Sequence, residues 1–270
     1  MSTVKGMASA GFAVVQRDFR IFVSYRLRAL TMLLSAFFSL TLFYYISRLV
    51  SFRQFDSPDE YYAFAVIGIV ILQLINSVLQ QPPSALRQEL VAGTFERIVL
   101  SPFGAVGGTL SILVFPFFLT LFIGMVMLAF ATLVFDVPVE WPTVPLAIPT
   151  AALAALAFAP FGMLLLAAVL VVKQAVGGAT WVVAMFSLIG GLYFPVTLLP
   201  DWIEWASDFQ PFTPAVDLMR NLLVGTDLQD PAWLDLVRLI GFAAVMLPIA
   251  VWVTGLALRA ARRRGTIIEY

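Results

Sequence analysis

Tyr61-Tyr-Ala-Phe-Ala-Val-Ile-Gly-Ile-Val-Ile-Leu-Gln73-Leu-Ile-Asn76-Ser-Val-Leu-Gln80-Gln-Pro-Pro-Ser-Ala-Leu86 carries no charged residue. A helix rises about 1.5 Å per residue, so roughly 20 apolar residues cross a hydrocarbon core about 30 Å thick. Five further stretches are equally free of charge: 29–47, 98–135, 141–172, 174–200 and 239–258. Each is long enough for one crossing. In 98–135, Ser101-Pro-Phe-Gly104 reads as a turn ahead of a single helix. Backbone polar groups in lipid must be satisfied within their own segment. The chain is therefore expected to be all-α and polytopic, one transmembrane domain with spans at 29–47, 61–81, 107–135, 148–172, 178–198 and 238–258.

Composition agrees. Hydrophobic residues make up 61% of the chain and charged residues 12%, with a mean hydropathy of +0.96. A soluble domain carries about 25% charged residues. The formal net charge is zero, but the charges are not evenly placed. With both termini inside, 12 of the 16 Lys and Arg are cytoplasmic, among them Arg17, Arg20, Arg87, Arg97 and Arg262–Arg264. Arg48, Arg53, Arg220 and Arg238 are outside, and so are 12 of the 16 acids. This is the positive-inside pattern of a cytoplasmic (inner) membrane protein. No basic patch suited to nucleic acid is present. There is no cysteine and no histidine, which excludes disulfides, thiol catalysis and the usual transition-metal ligands.

Polar residues then stand out against the apolar frame. Gln73, Asn76 and Gln80 are three and four apart, on one face of their helix. Amides at membrane depth seek partners on other helices or along a hydrated path, so this face is a candidate pathway lining as well as a packing surface. Near the N-terminus, Phe12, Val15, Phe19, Phe22 and Val23 oppose Arg17, Arg20 and Arg28, which suggests an interfacial helix over 8–28 before the first span. No cleavable signal peptide is expected there.

Two charged segments interrupt the spans. Glu89-Leu-Val-Ala-Gly93-Thr94-Phe95-Glu96-Arg97-Ile-Val-Leu-Ser-Pro102 is amphipathic if helical, with Val91, Phe95, Ile98 and Val99 on one face and Glu89 and Glu96 on another. A cytoplasmic helix is expected over 84–100. On the outer side, Phe194-Pro195 and Pro200 end a span and lead to Trp202, Trp205, Phe209 and Phe212. Tryptophan at this level suits an interface belt, and short helices dipping back into the outer leaflet are expected over 199–235. Asp217 and Arg220 fall one turn apart, within reach of an ion pair or cap.

Together these pieces resemble the membrane-spanning permease subunit of a type-2 ABC (ATP-binding-cassette) exporter. The matching residues are Glu89…Gly93-Thr94-Phe95-Glu96…Leu100-Ser101-Pro102, then Phe194-Pro195-Val196…Leu199-Pro200, then Pro214…Asp217…Arg220. The resemblance implies that 84–100 is a coupling helix, with Glu89, Gly93, Thr94, Phe95, Glu96 and Arg97 as contacts for an ATPase subunit. It implies that Phe194, Pro195, Pro200, Asp217 and Arg220 belong to an outer, re-entrant gate. It also implies two ATPase copies, a second permease copy as a homodimer partner, and surrounding lipid.

No Gly-x-x-x-x-Gly-Lys-Ser/Thr occurs and the lysines are Lys5 and Lys173 alone, so ATP and Mg are expected in the ATPase subunit and no cofactor in this chain. An intramembrane enzyme is disfavoured, since no intramembrane acid pair or Gly-x-Ser-x-Gly is present. A channel or secondary carrier is the third class, weakened by the lack of ionisable groups within the charge-free stretches. The expected cargo is a hydrophobic or amphipathic compound (drug, antibiotic or lipid-like), with a lipid-linked polysaccharide as the alternative.

Overall fold

Ser57 opens the central helix. Its hydroxyl accepts a hydrogen bond from the Glu60 amide at 3.1 Å, Pro58 occupies the first turn, and Asp59 and Glu60 face the positive helix end. The computed structural model describes residues 16–20, 22–24, 26–49, 55, 57–95, 104–111, 113–172, 178–192, 196 and 199–264. Among them the helices are α1 (Arg26–Leu49), α2 (Pro58–Val91), α3 (Gly104–Ser111), α4 (Val114–Phe135), α5 (Val144–Val172), α6 (Gly178–Ile189), α7 (Asp201–Asp208), α8 (Phe212–Val224) and α9 (Ala232–Arg264). A 3-10 turn at Trp141–Thr143 precedes α5, and residues 16–20 and 22–24 are also helical. No strand occurs among the described residues. The protein is an all-α, multi-pass membrane protein.

After its acidic first turn α2 is apolar all round, and every residue from Tyr61 to Ile71 is buried. It packs against α1, α4, α5, α6 and α8. Ile67, Ile71, Ile75 and Leu79 meet Phe158 of α5 and Phe212 and Val216 of α8. On the other flank Tyr62 and Val66 meet Leu40 of α1 and Met127 of α4. α9 lies against α5, and α1, α4 and α9 turn apolar stripes outward, as lipid-facing helices do.

α2 continues through Pro82 and Pro83 to Val91, well past the boundary expected at 81. Pro82 has no amide hydrogen for the Val78 carbonyl four residues back. That carbonyl instead presses on Gly162 of α5, where any Cβ would overlap it. The neighbouring helix tolerates the proline pair because it offers a residue without a side chain.

Among the described residues, five helical stretches are long and apolar enough to cross a membrane: Leu30–Leu49, Pro58–Val91, Val106–Phe135, Trp141–Val171 and Ala232–Arg263. The third is divided at Leu113 into α3 and α4, just before Pro116, whose missing donor weakens the preceding turn. Among the described residues, the span expected over 178–198 is represented by the shorter α6, and part of that stretch (193–195, 197 and 198) lies outside them. α6, at 12 residues, rises about 18 Å, less than the hydrocarbon thickness. It stops because Gly191 takes a left-handed φ of 72°, while Gly190 leaves room for the Phe212 ring.

One end of the bundle carries the N-terminal arginines and Arg262–Arg263, and is called the basic end below. The other carries Asp59, Asp136, Asp217 and Asp235. At this acidic end Trp141, Trp202, Trp205 and Trp233 are all exposed.

Candidate functional site

A cleft of about 930 Å³ opens beside the basic half of α2. Gln73, Asn76, Ser77, Gln80, Gln81, Ala85, Gln88 and Glu89 supply one wall. From Gln73 to Glu89 that wall extends roughly 24 Å along the helix axis. Phe115, Pro116 and Leu119 of α4, Met32 of α1 and Phe22 supply an apolar wall opposite. The rings of Phe22 and Phe115 lie 5.9 Å apart and join the N-terminal segment to α4. The Gln80 side-chain amide donates to the Asn76 side-chain carbonyl at 2.8 Å. Amides on a spanning helix are tolerated here because they face a cavity rather than lipid.

The mouth of the cleft is charged. Arg17 pairs with Asp18 at 2.8 Å and with Glu89 at 3.2 Å. Burial holds the Asp18 carboxyl above its ordinary value of 3.8; Arg17 opposes the shift and Glu89 adds to it. Glu89 also accepts a hydrogen bond from the Thr94 hydroxyl. α2 ends in a Schellman turn: the Thr94 amide donates to the Glu89 carbonyl at 3.0 Å and the Gly93 amide to Leu90 at 3.1 Å. Gly93 has φ 66°, which suits glycine and is costly for a residue with a Cβ.

This turn divides the stretch expected as one helix over 84–100. Val91 stays exposed on α2, whereas Phe95, beyond the turn, is buried with Leu86, Leu90, Leu166, Leu170 and Leu258. Val91 and Phe95 therefore do not share a face. Phe95 holds the turn onto α5 and α9, and Gly93 is exposed at the surface.

At the acidic end Arg220 of α8 is 3% exposed. Its guanidinium donates to the Phe64 carbonyl at 3.2 Å and to the Gly191 and Leu192 carbonyls at 3.0 Å each. It also lies 3.3 Å from the centroid of the Phe64 ring. Gly68 makes room for this knot, since a Cβ there would stand 2.6 Å from the Leu192 oxygen. Arg220 thus ties the segment just after α6 to α2 and α8. Burial lowers Arg220 to about 9, opposed by Asp217, so it stays protonated at neutral pH. Asp217 is pushed up to about 6, mainly by burial and against the attraction of Arg220. Among the described residues the two attract at a distance without an ion pair.

The structure thus brings Gln73, Asn76, Gln80, Glu89 and Thr94, read from sequence as two separate features, into one cleft. Pro200 sits exposed at the start of α7, where its carbonyl accepts from the Ile203 amide at 2.9 Å. Glu96, Arg97, Phe194 and Pro195 lie outside the described residues. Sequence reasoning missed Gln81, Gln88, Arg17 and Asp18 as cleft residues. Gln81 and Gln88 continue the helical repeat of the amide face, a signal hidden by dividing 61–81 and 84–100 into separate helices. It also missed the carbonyl partners of Arg220, which no spacing reveals.

The model of the ABC-2 family transporter proteins matches residues 39–252, well over half of the chain. The chain is also 31% identical over 91 residues to nodulation protein J of Rhizobium leguminosarum bv. trifolii. That alignment covers 34% of this chain and 35% of the relative, so the chain spans about a third of the curated relative it matches.

Proposed function

The chain belongs to the ABC-2 family of transporter proteins, as a membrane subunit, and from that premise we propose that it exports a hydrophobic or amphipathic compound across the cytoplasmic membrane. The observation that carries the cargo reading is the cleft, with one amide wall and one apolar wall running from membrane depth to the turn after α2. Family membership implies an ABC ATPase partner in general. Two ATPase copies and a second copy of this chain would complete the transporter, with both termini on the ATPase side and ATP and Mg held by the partner.

In this reading the ATPase engages the surface formed by Glu89, Gly93, Thr94, Glu96 and Arg97. Phe95 serves from beneath, as the anchor that makes the turn rigid. Glu89 belongs both to the cleft mouth and to this surface, so movement of the turn strains the Arg17–Glu89 pair and alters the mouth. ATP shifts the cleft between states only through contacts that differ between them. Pro200, Asp217 and Arg220, with Phe194 and Pro195, would form the outer gate.

The test is affinity purification of the tagged chain in mild detergent, followed by vanadate-sensitive ATPase measurement and uptake into inverted vesicles. A stoichiometric partner with a phosphate-binding loop and ATP-dependent uptake is expected. A chain that purifies alone and gains no ATPase from candidate partners would overturn the proposal. Glu96→Arg should abolish transport while leaving insertion intact; normal export by that variant removes Glu96 from the interface.

A further inference from the structure

We infer that the cleft inside a single copy of this subunit binds an amphiphile with an uncharged, hydroxyl-bearing head group, and that its α2 amides discriminate against charged heads. The inference rests on reading the cleft as the cargo path. At about 930 Å³ the cleft is in the range that holds a drug-sized ligand, far more than a bridging water needs.

The lining decides the head group. Gln73, Asn76, Gln80 and Gln81 bring paired donors and acceptors and no net charge. The bond from Gln80 to Asn76 leaves the Asn76 amide as a donor and the Gln80 carbonyl as an acceptor. A hydroxyl both donates and accepts, so it matches such an array from either side. A phosphate or ammonium head would lose hydration at membrane depth and find dipoles where it needs a counter-charge. Among the described residues, Arg17, Asp18 and Glu89 at the mouth are bound to one another and sum formally to −1, which further disfavours an anion. The wall of Met32, Phe115 and Leu119 offers the apolar tail its contact.

The test uses the transporter in phosphatidylcholine nanodiscs and three probes sharing one diazirine-bearing alkyl tail: a glucoside, a phosphate and a trimethylammonium. Cross-linked peptides are mapped by mass spectrometry without ATP. The glucoside is expected to label the Leu113–Leu119 segment and Met32 above the level on lipid-facing Val245–Trp252, with the charged probes at that background. Competition by octyl glucoside should remove the excess. Gln80→Leu should weaken glucoside labelling about fivefold, the value of one hydrogen bond of roughly 1 kcal/mol. Equal labelling by all three head groups on the unaltered chain would mean ordinary lipid occupancy and overturn the inference. So would glucoside labelling that Gln73→Leu and Gln80→Leu both leave unchanged. Because no turnover is read, loss of labelling leaves the export proposal standing, and an absent ATPase partner leaves the labelling result standing.

Discussion

Replacing Arg220 by methionine keeps most of the side-chain length and removes the guanidinium. Two of its three acceptors, the Gly191 and Leu192 carbonyls, lie beyond the end of α6 and accept from no other backbone donor recorded among the described residues. Each buried carbonyl left without a donor costs about 1–3 kcal/mol. Loss of the desolvated contact with the Phe64 ring adds about 2 kcal/mol. Against this, no charge need be stripped of water on folding, which returns several kcal/mol. The balance is a destabilisation of about 2–4 kcal/mol. Arg220→Lys retains the charge but not the fork that reaches three carbonyls, and should cost about half as much, roughly 1–2 kcal/mol. Thermal unfolding of the purified subunit in one detergent, followed by tryptophan fluorescence, gives the ranking. The parent is expected to be most stable, then the lysine variant, then the methionine variant. A methionine variant as stable as the parent would refute the reasoning, because desolvation would then outweigh everything the guanidinium holds.

Further predictions concern other parts of the bundle. Gly162→Ala places a methyl group on the Val78 carbonyl and should destabilise by about 1–3 kcal/mol, read from the same unfolding curves; an unchanged midpoint would show that α2 and α5 do not approach so closely. Phe95→Ala empties the space between Leu90, Leu170 and Leu258 and should cost about 3–5 kcal/mol, whereas Val91→Ala, on an exposed face, should cost far less. Because the Asp217 carboxyl is raised from 3.8 to about 6, the folded state holds its proton more tightly than the unfolded state. Its ionisation therefore lowers stability above pH 6, and the loss is relieved as pH falls towards 4. Between pH 7 and pH 5 stability should rise by about 1 kcal/mol from this group, and Asp217→Asn should flatten that part of the profile in a pH series of unfolding curves.

The amide face on α2 was legible in sequence because one helix carries it, and helical spacing relates its members without knowledge of any neighbour. Phe95 shows the limit of that logic. Continuing the helix through Gly93 puts it on a face with Val91, yet a left-handed glycine redirects the chain and buries it. Asp217 and Arg220 were correctly seen as one turn apart, but proximity along a helix did not reveal that carbonyls from α2 and the end of α6 converge on the guanidinium. Such convergence joins segments that lie 28, 29 and 156 residues from Arg220 along the chain.

Sequence alone determined the all-helical, multi-pass character of this protein. That character follows from local physics: charge is expelled from hydrocarbon, and each spanning backbone must bond to itself. Tertiary structure decided that α2 is the buried centre, that Pro82 and Pro83 lie within it, that α6 stops short, and that amides and ion pair share one cleft. Those outcomes depend on what stands opposite each residue, such as Gly162 against the Val78 carbonyl and Phe212 against Gly190. Contact between helices distant in sequence has no periodic signature along the chain.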